Sequence, residues 1–345
     1  MLATGTKIRT MITAMLLFIT ALFSAPAQAQ AWEAATIVDV SVALEPMPEL
    51  PNSYIANPGL YATVHARPSD RYTAKQLSDH ALQVVPELAE RLGVGTGRSM
   101  NIVLAHDQSD FENLQPGATH DWADGTAWPQ RSLIYLRAPR ARSGISKDLE
   151  QVLEHEVVHV LLGQAFGRRP VPTWLQEGMA QYFAGEVTPD LPKRIARGMI
   201  GGGLMSLNQL SYGFPHNPQR ADLAYAQSAD LINWIASEYG EDSLGVLVQQ
   251  MSRGESMNAS LYAATGVTSA ELEQAWQSRL KDSGLWLSAF MAEGSFFVLV
   301  IPLALWGAWR LRKRQKATLA RWEKEERRRA AYDAFVARTQ WMSMG

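Results

Sequence analysis

Cysteine is absent from all 345 residues. That excludes disulfides, Cys-ligated metal sites and thiol nucleophiles. An exported domain of this kind is held by its core, with a bound metal as the remaining aid. Charge of one sign is lacking too: 32 Lys and Arg stand against 34 Asp and Glu, a formal net of -2. The balance is unevenly spread. From Arg310 to Gly345 eleven Lys or Arg face four Asp or Glu. A basic end on an acidic body points to two compartments rather than to nucleic-acid binding. No internal repeat or low-complexity tract occurs, and long apolar runs are confined to the two ends.

The first end reads as a secretory signal over residues 1–29. Lys7 and Arg9 precede an apolar run, Met11 to Phe23, and Ala27-Gln28-Ala29 fits the small-x-small cleavage rule. The run is short for a membrane span. The second end, 286–311, reads as a transmembrane helix. Trp286, Trp306 and Trp309 occupy interfacial positions, Pro302 is tolerable there, and Arg310, Arg312, Lys313 and Arg314 follow at once. Together these predict a single-pass protein in the bilayer. Its body lies outside the cytoplasm, periplasmic or extracellular, and its basic tail, 312–345, lies inside.

Between the ends, 30–60 reads as a leader rich in Pro and small residues, with Thr36 to Val42 its one strand-like stretch. The folded domain is expected over 61–285. Ala74 to Leu92 carries Leu77, Ala81, Val84, Val85 and Leu88 at helical spacing and stops at Gly93. Met100 to Ala105 and Ser132 to Arg137 read as strands, the latter after a turn-rich stretch from Pro116 to Pro129. A helix starting at Ser146 or Lys147 reaches about Phe166, ended by Gly167 and Pro170. Thr173 is an N-cap candidate for the next, Trp174 to Phe183. From Asp190 to Leu280 the pattern is helical. The order is a mixed first half, then an all-helical half.

The first of those two helices carries His155-Glu156-Val157-Val158-His159. Residues i and i+4 share a helix face, so the two imidazoles can hold one zinc ion with Glu156 beside them to handle a water. Val157 and Val158 suit the buried side. Zinc wants a third protein ligand and an open fourth position. Glu177 follows on the next helix, within Trp174-Leu175-Gln176-Glu177-Gly178-Met179-Ala180, where its carboxylate can swing back onto the same metal.

His155 to His159 followed by Trp174-Leu175-x-Glu177-Gly178-x-Ala180 resembles the gluzincin metallopeptidases of the peptidase MA-like superfamily. The resemblance covers roughly residues 60 to 280. It implies an α+β zincin-like fold: a small mixed sheet and an active-site helix, then an all-helical subdomain, here followed by the transmembrane helix. It implies an edge strand beside that helix, where Ser132 to Arg137 stands. It further implies one zinc per chain on His155, His159 and Glu177, Glu156 as general base, and a downstream Tyr or His assisting the oxyanion. Tyr225 begins a suitable helix for that last role, with Tyr212 and His216 as competitors. His65, His80, His106 and His120 have no partner at metal spacing and read as surface or loop residues. Trp174 reads as packing.

The expected activity is peptide-bond hydrolysis. The lack of a Gly-x-Met-x-Asn motif ahead of His155 leans it toward endopeptidase. The alternative is an inactive, peptidase-like module that binds peptides or acts as a membrane scaffold. An intact Glu156 argues against it, since a scaffold has no need of a general base.

Overall fold

The computed structural model describes residues 46–116, 123–142, 148–200, 203–282 and 296–343. Its mixed half comprises β1 (Ile55–Pro58), β2 (Ala62–Ala66), α1 (Arg71–Arg91), β3 (Met100–Ala105), α2 (Gln108–Asn113), β4 (Gly125–Trp128) and β5 (Leu133–Arg137). The helical half follows as α3 (Leu149–Phe166), α4 (Thr173–Phe183), α5 (Leu191–Ile200), α6 (Leu207–Ser211), α7 (Pro218–Tyr239), α8 (Asp242–Ser252), α9 (Met257–Thr265) and α10 (Ser269–Asp282). A last helix, α11, spans Phe296–Ser343.

The strands form one sheet in the order β1-β2-β3-β5-β4. β2, β3 and β5 are parallel, and β1 and β4 are antiparallel edges. Side-chain alternation sorts its two faces. Val64, Ile102, Leu104, Ile134 and Leu136 join the main core with α1 and α3. Val103, Ala105 and Tyr135 face the other way, covered by Phe111 of α2, Leu114, Met47, Leu50 and Tyr54. In α1 the expected stripe of Leu77, Ala81, Val84, Val85 and Leu88 is buried.

α3 has apolar residues nearly all round, as a helix caught between a sheet and a second helical layer must. Val152, Leu153, Val157, Val158, Val160, Leu161, Leu162 and Phe166 are all buried. α4 packs on α3 and more extensively on α7. The His155–His159 motif thus rides on a helix packed between the sheet, α1 and α4.

Several expectations need correction. Ser132 to Arg137 is not the edge strand beside α3. Its strand, β5, lies inside the sheet, and β4 takes the edge and packs on α3. β4 comes from the stretch that reads as turns, because Gly125-Thr126-Ala127-Trp128 is short and half-buried throughout, with no alternation to betray it. Part of the expected leader, 55–58, forms β1.

The α+β architecture with its small mixed sheet stands, but the transmembrane helix does not. No helix among the described residues is long and apolar enough to cross a membrane. Within the described residues the apolar part of α11 covers Phe296 to Trp309, ahead of Arg310, Arg312, Lys313 and Arg314. At 1.5 Å per residue that stretch is shorter than a hydrocarbon core of about 30 Å. The single-pass topology and the placement of body and tail on opposite sides fall with it. Residues 286–295, the signal over 1–29, Thr36 to Val42 and His120 lie outside the described residues.

Candidate active site

α3 ends where expected: Gly167 takes a positive φ and its N–H returns to the Gly163 carbonyl. A short Pro-bearing connection then leads into α4. Thr173 is the first helical residue rather than the cap, and its hydroxyl donates to the Ser211 carbonyl. One face of α4 buries Trp174, Leu175, Gly178, Met179 and Ala180, Trp174 at 2% exposure as a packing residue. Glu177 is thereby turned toward α3.

The three side chains converge. His155 Nε2 and His159 Nε2 are 3.2 Å apart, and each lies 3.7 Å from Glu177 Oε2. A tetrahedral zinc with bonds of about 2.0–2.1 Å has ligand–ligand edges of about 3.3 Å, so these separations fit one ion. The donor chemistry fits too: two imidazole nitrogens and one carboxylate leave a fourth position open. Among the described residues, His155, His159 and Glu177 are the only group of three or more His, Asp or Glu side chains converging in this way.

Glu156 is buried, on the turn between the two histidines. Its side chain packs against β4, where a Cβ on Gly125 would lie 2.9 Å from its Cγ and Oε1. Tyr225, in the second turn of α7, stands in the field of Glu177, Glu156 and Glu186. Burial first, then those three charges, push its phenol up, so it stays protonated. Its ring meets Phe214 edge-to-face at 4.7 Å. Tyr212 and His216, its competitors, are solvent-exposed.

A model of the Peptidase MA superfamily matches residues 80–282. The chain belongs to that superfamily. The match contains every residue of the converging cluster together with Tyr225. No curated protein sequence matches the chain. Among solved structures, native yeast LTA4 hydrolase is similar at 13% identity and a TM-score of 0.39, covering 65% of this chain and 38% of that one. Native leukotriene A4 hydrolase from Saccharomyces cerevisiae follows at 14% and 0.36, covering 58% and 33%. Yeast LTA4 hydrolase in complex with bestatin stands at 12% and 0.36, covering 67% and 37%. The chain spans well under half the length of these structures.

The electrostatics of this Peptidase MA site follow from burial against close partners. Burial works against charging His155, but the Glu177 and Glu186 carboxylates outweigh it and push the imidazole up to about 10. Burial pushes His159 down to about 4, with Glu177 offsetting part of the fall and His155 adding to it. Burial works to raise the Glu177 carboxyl, yet the two imidazoles hold it below its usual range. The two Nε2 atoms face each other at 3.2 Å beside the Glu177 carboxylate, and a divalent cation bound there would compete with protons for the same atoms.

Sequence reasoning missed Glu186, whose Oε1 lies 3.0 Å from His155 Nδ1. It sits past the end of α4, after Gly185 with φ +66, so helix periodicity cannot aim it. Gln181, four residues after Glu177, was missed as well. Its buried amide donates to the carbonyls of Glu177 and Tyr225, tying α4 to α7. The remaining described histidines have other work. His65 meets Asn101 at the surface, His80 bonds Glu154, and His106 bonds the buried Asp70.

Proposed function

We propose that this protein is a zinc-dependent metallopeptidase, with its catalytic unit over 61–285 and one zinc per chain held by His155, His159 and Glu177. The single observation that carries the reading is the spacing of those three ligand atoms, 3.2, 3.7 and 3.7 Å, with Glu156 packed beside them. When bound, zinc supplies Lewis-acid activation of a water and of the scissile carbonyl.

The chain's own residues supply the rest. Glu156 takes a proton from the attacking water and returns it to the leaving amine. Gly125 of β4 lies against its side chain, and Glu156 is largely shielded from bulk water. The phenol of Tyr225, held protonated, donates a hydrogen bond to the oxygen on which negative charge develops. The short edge strand β4 runs along α3 and can pair with an extended peptide. The lack of an exopeptidase motif ahead of His155 favours internal bonds as substrates.

The test is zinc content and peptide hydrolysis by the full chain. About one zinc per chain, lost in Glu177→Ala, with hydrolysis abolished in a zinc-loaded Glu156→Gln, is the expected result. Zinc without hydrolysis of any peptide in a diverse library would instead make this a peptide-binding module. A folded chain that takes no zinc would end the metallopeptidase reading.

A further inference from the structure

We propose that the sheet carries a second, small-molecule site on its face away from α3, one that takes a monocarboxylic acid with a compact apolar body. The strand register assembles it. His65 of β2 pairs with Val103 of β3, and Val103 with Tyr135 of β5, so their side chains form one row across the sheet. Asn101 and Leu133 pair in the next row on the same face. The two rows floor a cavity of about 280 Å³, walled by Met47 and Leu50 and lined also by Arg131. That volume stands near the lower limit of small-molecule sites, about 300–1,000 Å³. The zinc ligands lie across the sheet. Ile102 and Ile134, the chain neighbours of Val103 and Tyr135, turn the other way, into the core shared with α3.

The lining sorts into an apolar floor and a polar edge. Val103, Leu133, Met47 and Leu50 can take the body of a ligand out of water. Arg131 is the one Lys or Arg of the lining, and no Asp or Glu joins it, which matches a ligand with a single negative charge. Its guanidinium has five N–H donors in a rigid fork, enough to keep a protein contact and still grip a carboxylate. Tyr135 supplies a second donor. The residue is 2% exposed, and among the described residues its hydroxyl has no hydrogen-bond partner. Burial pushes the phenol up to about 12, against the opposing charge of Arg131, so it stays protonated and can donate.

The turn that carries Arg131 is held under strain. Ser132 has φ 50 and ψ 49, the one non-glycine with positive φ among the described residues. A serine keeps that conformation only where its surroundings hold it. Here Gln164 of α3 donates to its hydroxyl at 2.9 Å, and the Asn101 N–H donates to its carbonyl at 2.8 Å. The turn so fixed joins Arg131 to Leu133, the cation and a floor residue of the same cavity.

The probe is hexanoate, with hexanamide as its neutral copy, each titrated calorimetrically against the full chain. Hexanoate should bind at one per chain with a Kd on the order of 1 mM, the reach of so small a ligand. Hexanamide should bind at least about tenfold more weakly, because it brings Arg131 no charge. Tyr135→Phe should weaken hexanoate about tenfold. Leu133→Phe, which fills the floor, should abolish binding. Both variants should unfold near the parent's midpoint. Tyr135→Phe removes only an oxygen, so it decides the matter if Leu133→Phe does not fold. Binding should also survive removal of zinc by a chelator. Binding lost with the zinc would put the carboxylate on the metal and overturn the proposal. So would equal affinity for the two probes, parent-like affinity in Tyr135→Phe or in folded Leu133→Phe, or no binding at all. None of these results bears on the metallopeptidase reading, because the cavity shares no residue with the zinc ligands.

Discussion

A methyl group built on Gly178 would sit 2.5 Å from the backbone oxygen of Ser228, and 2.6 Å from Ile232 Cγ1. α4 and α7 cross there with no room for a side chain. Gly178 is the neighbour of Glu177, and Ser228 lies one turn beyond Tyr225. The close crossing brings Tyr225 of one helix into the field of Glu177 on the other, and Gln181 bonds the Glu177 and Tyr225 carbonyls across the same seam. Gly178→Ala should therefore destabilise the protein by about 1–3 kcal/mol, the usual cost of overpacking. Activity should fall with it as Tyr225 moves away. Urea unfolding and peptidase assays on the same preparations check both. Parent-like stability would mean that the seam has slack.

Tyr225→Phe isolates the hydroxyl from the packing. The ring still meets Phe214, so any loss of stability should be about 1 kcal/mol, the scale of a single hydrogen bond. If the phenol donates to the developing oxyanion, kcat should drop about 10²- to 10³-fold, with KM and zinc content held. Equal losses in both kinetic constants would point to substrate binding instead.

The convergence of His155, His159 and Glu177 in the candidate site was legible where helix geometry alone does the placing. His155 and His159 at i and i+4 must share a face, and a Pro-bearing connection of a few residues must fold α4 back across α3. Glu177 thereby comes within 3.7 Å of both imidazoles. Legibility ended where placement depends on a turn or on tertiary contact. Glu186 is aimed by a left-handed glycine outside any periodic element. β4 is held in the sheet by pairing with β5 and by packing on α3, neither of which leaves an alternating pattern in four residues. At the far end the aromatic and basic cues are real residues, but no helix among the described residues is long and apolar enough for the span they suggested.

Gly125 tests the contact between that edge strand and the motif. A Cβ there would come within 2.9 Å of Glu156 Cγ and Oε1 and of Val152 Cγ1. Gly125→Ala should push the Glu156 carboxylate out of line while leaving His155, His159 and Glu177 untouched. Zinc content should remain at the parent level. The ratio kcat/KM should fall about 10- to 100-fold, the scale of an ångström-sized misplacement of a reacting group. Loss of zinc in this variant would show that the strand supports the ligands as well.

His80 gives a pH dependence away from the metal. On α1, it is 2.8 Å from Glu154 and 3.8 Å from Glu150, both on α3. The hydrogen bond to Glu154 raises its pKa; burial opposes this, and the Glu150 charge adds to the rise. A raised histidine contributes stability that is complete below its ordinary value near 6.5 and is lost as pH climbs through the raised one. His80→Gln should therefore cost about 1 kcal/mol or somewhat more at pH 5.5, the scale of a hydrogen bond to a charged group. At pH 9 the cost should be much smaller. Urea unfolding of parent and variant at the two pH values measures the difference directly. A cost that stays constant with pH would assign His80 to packing between α1 and α3, because only the charged imidazole draws on the two glutamates.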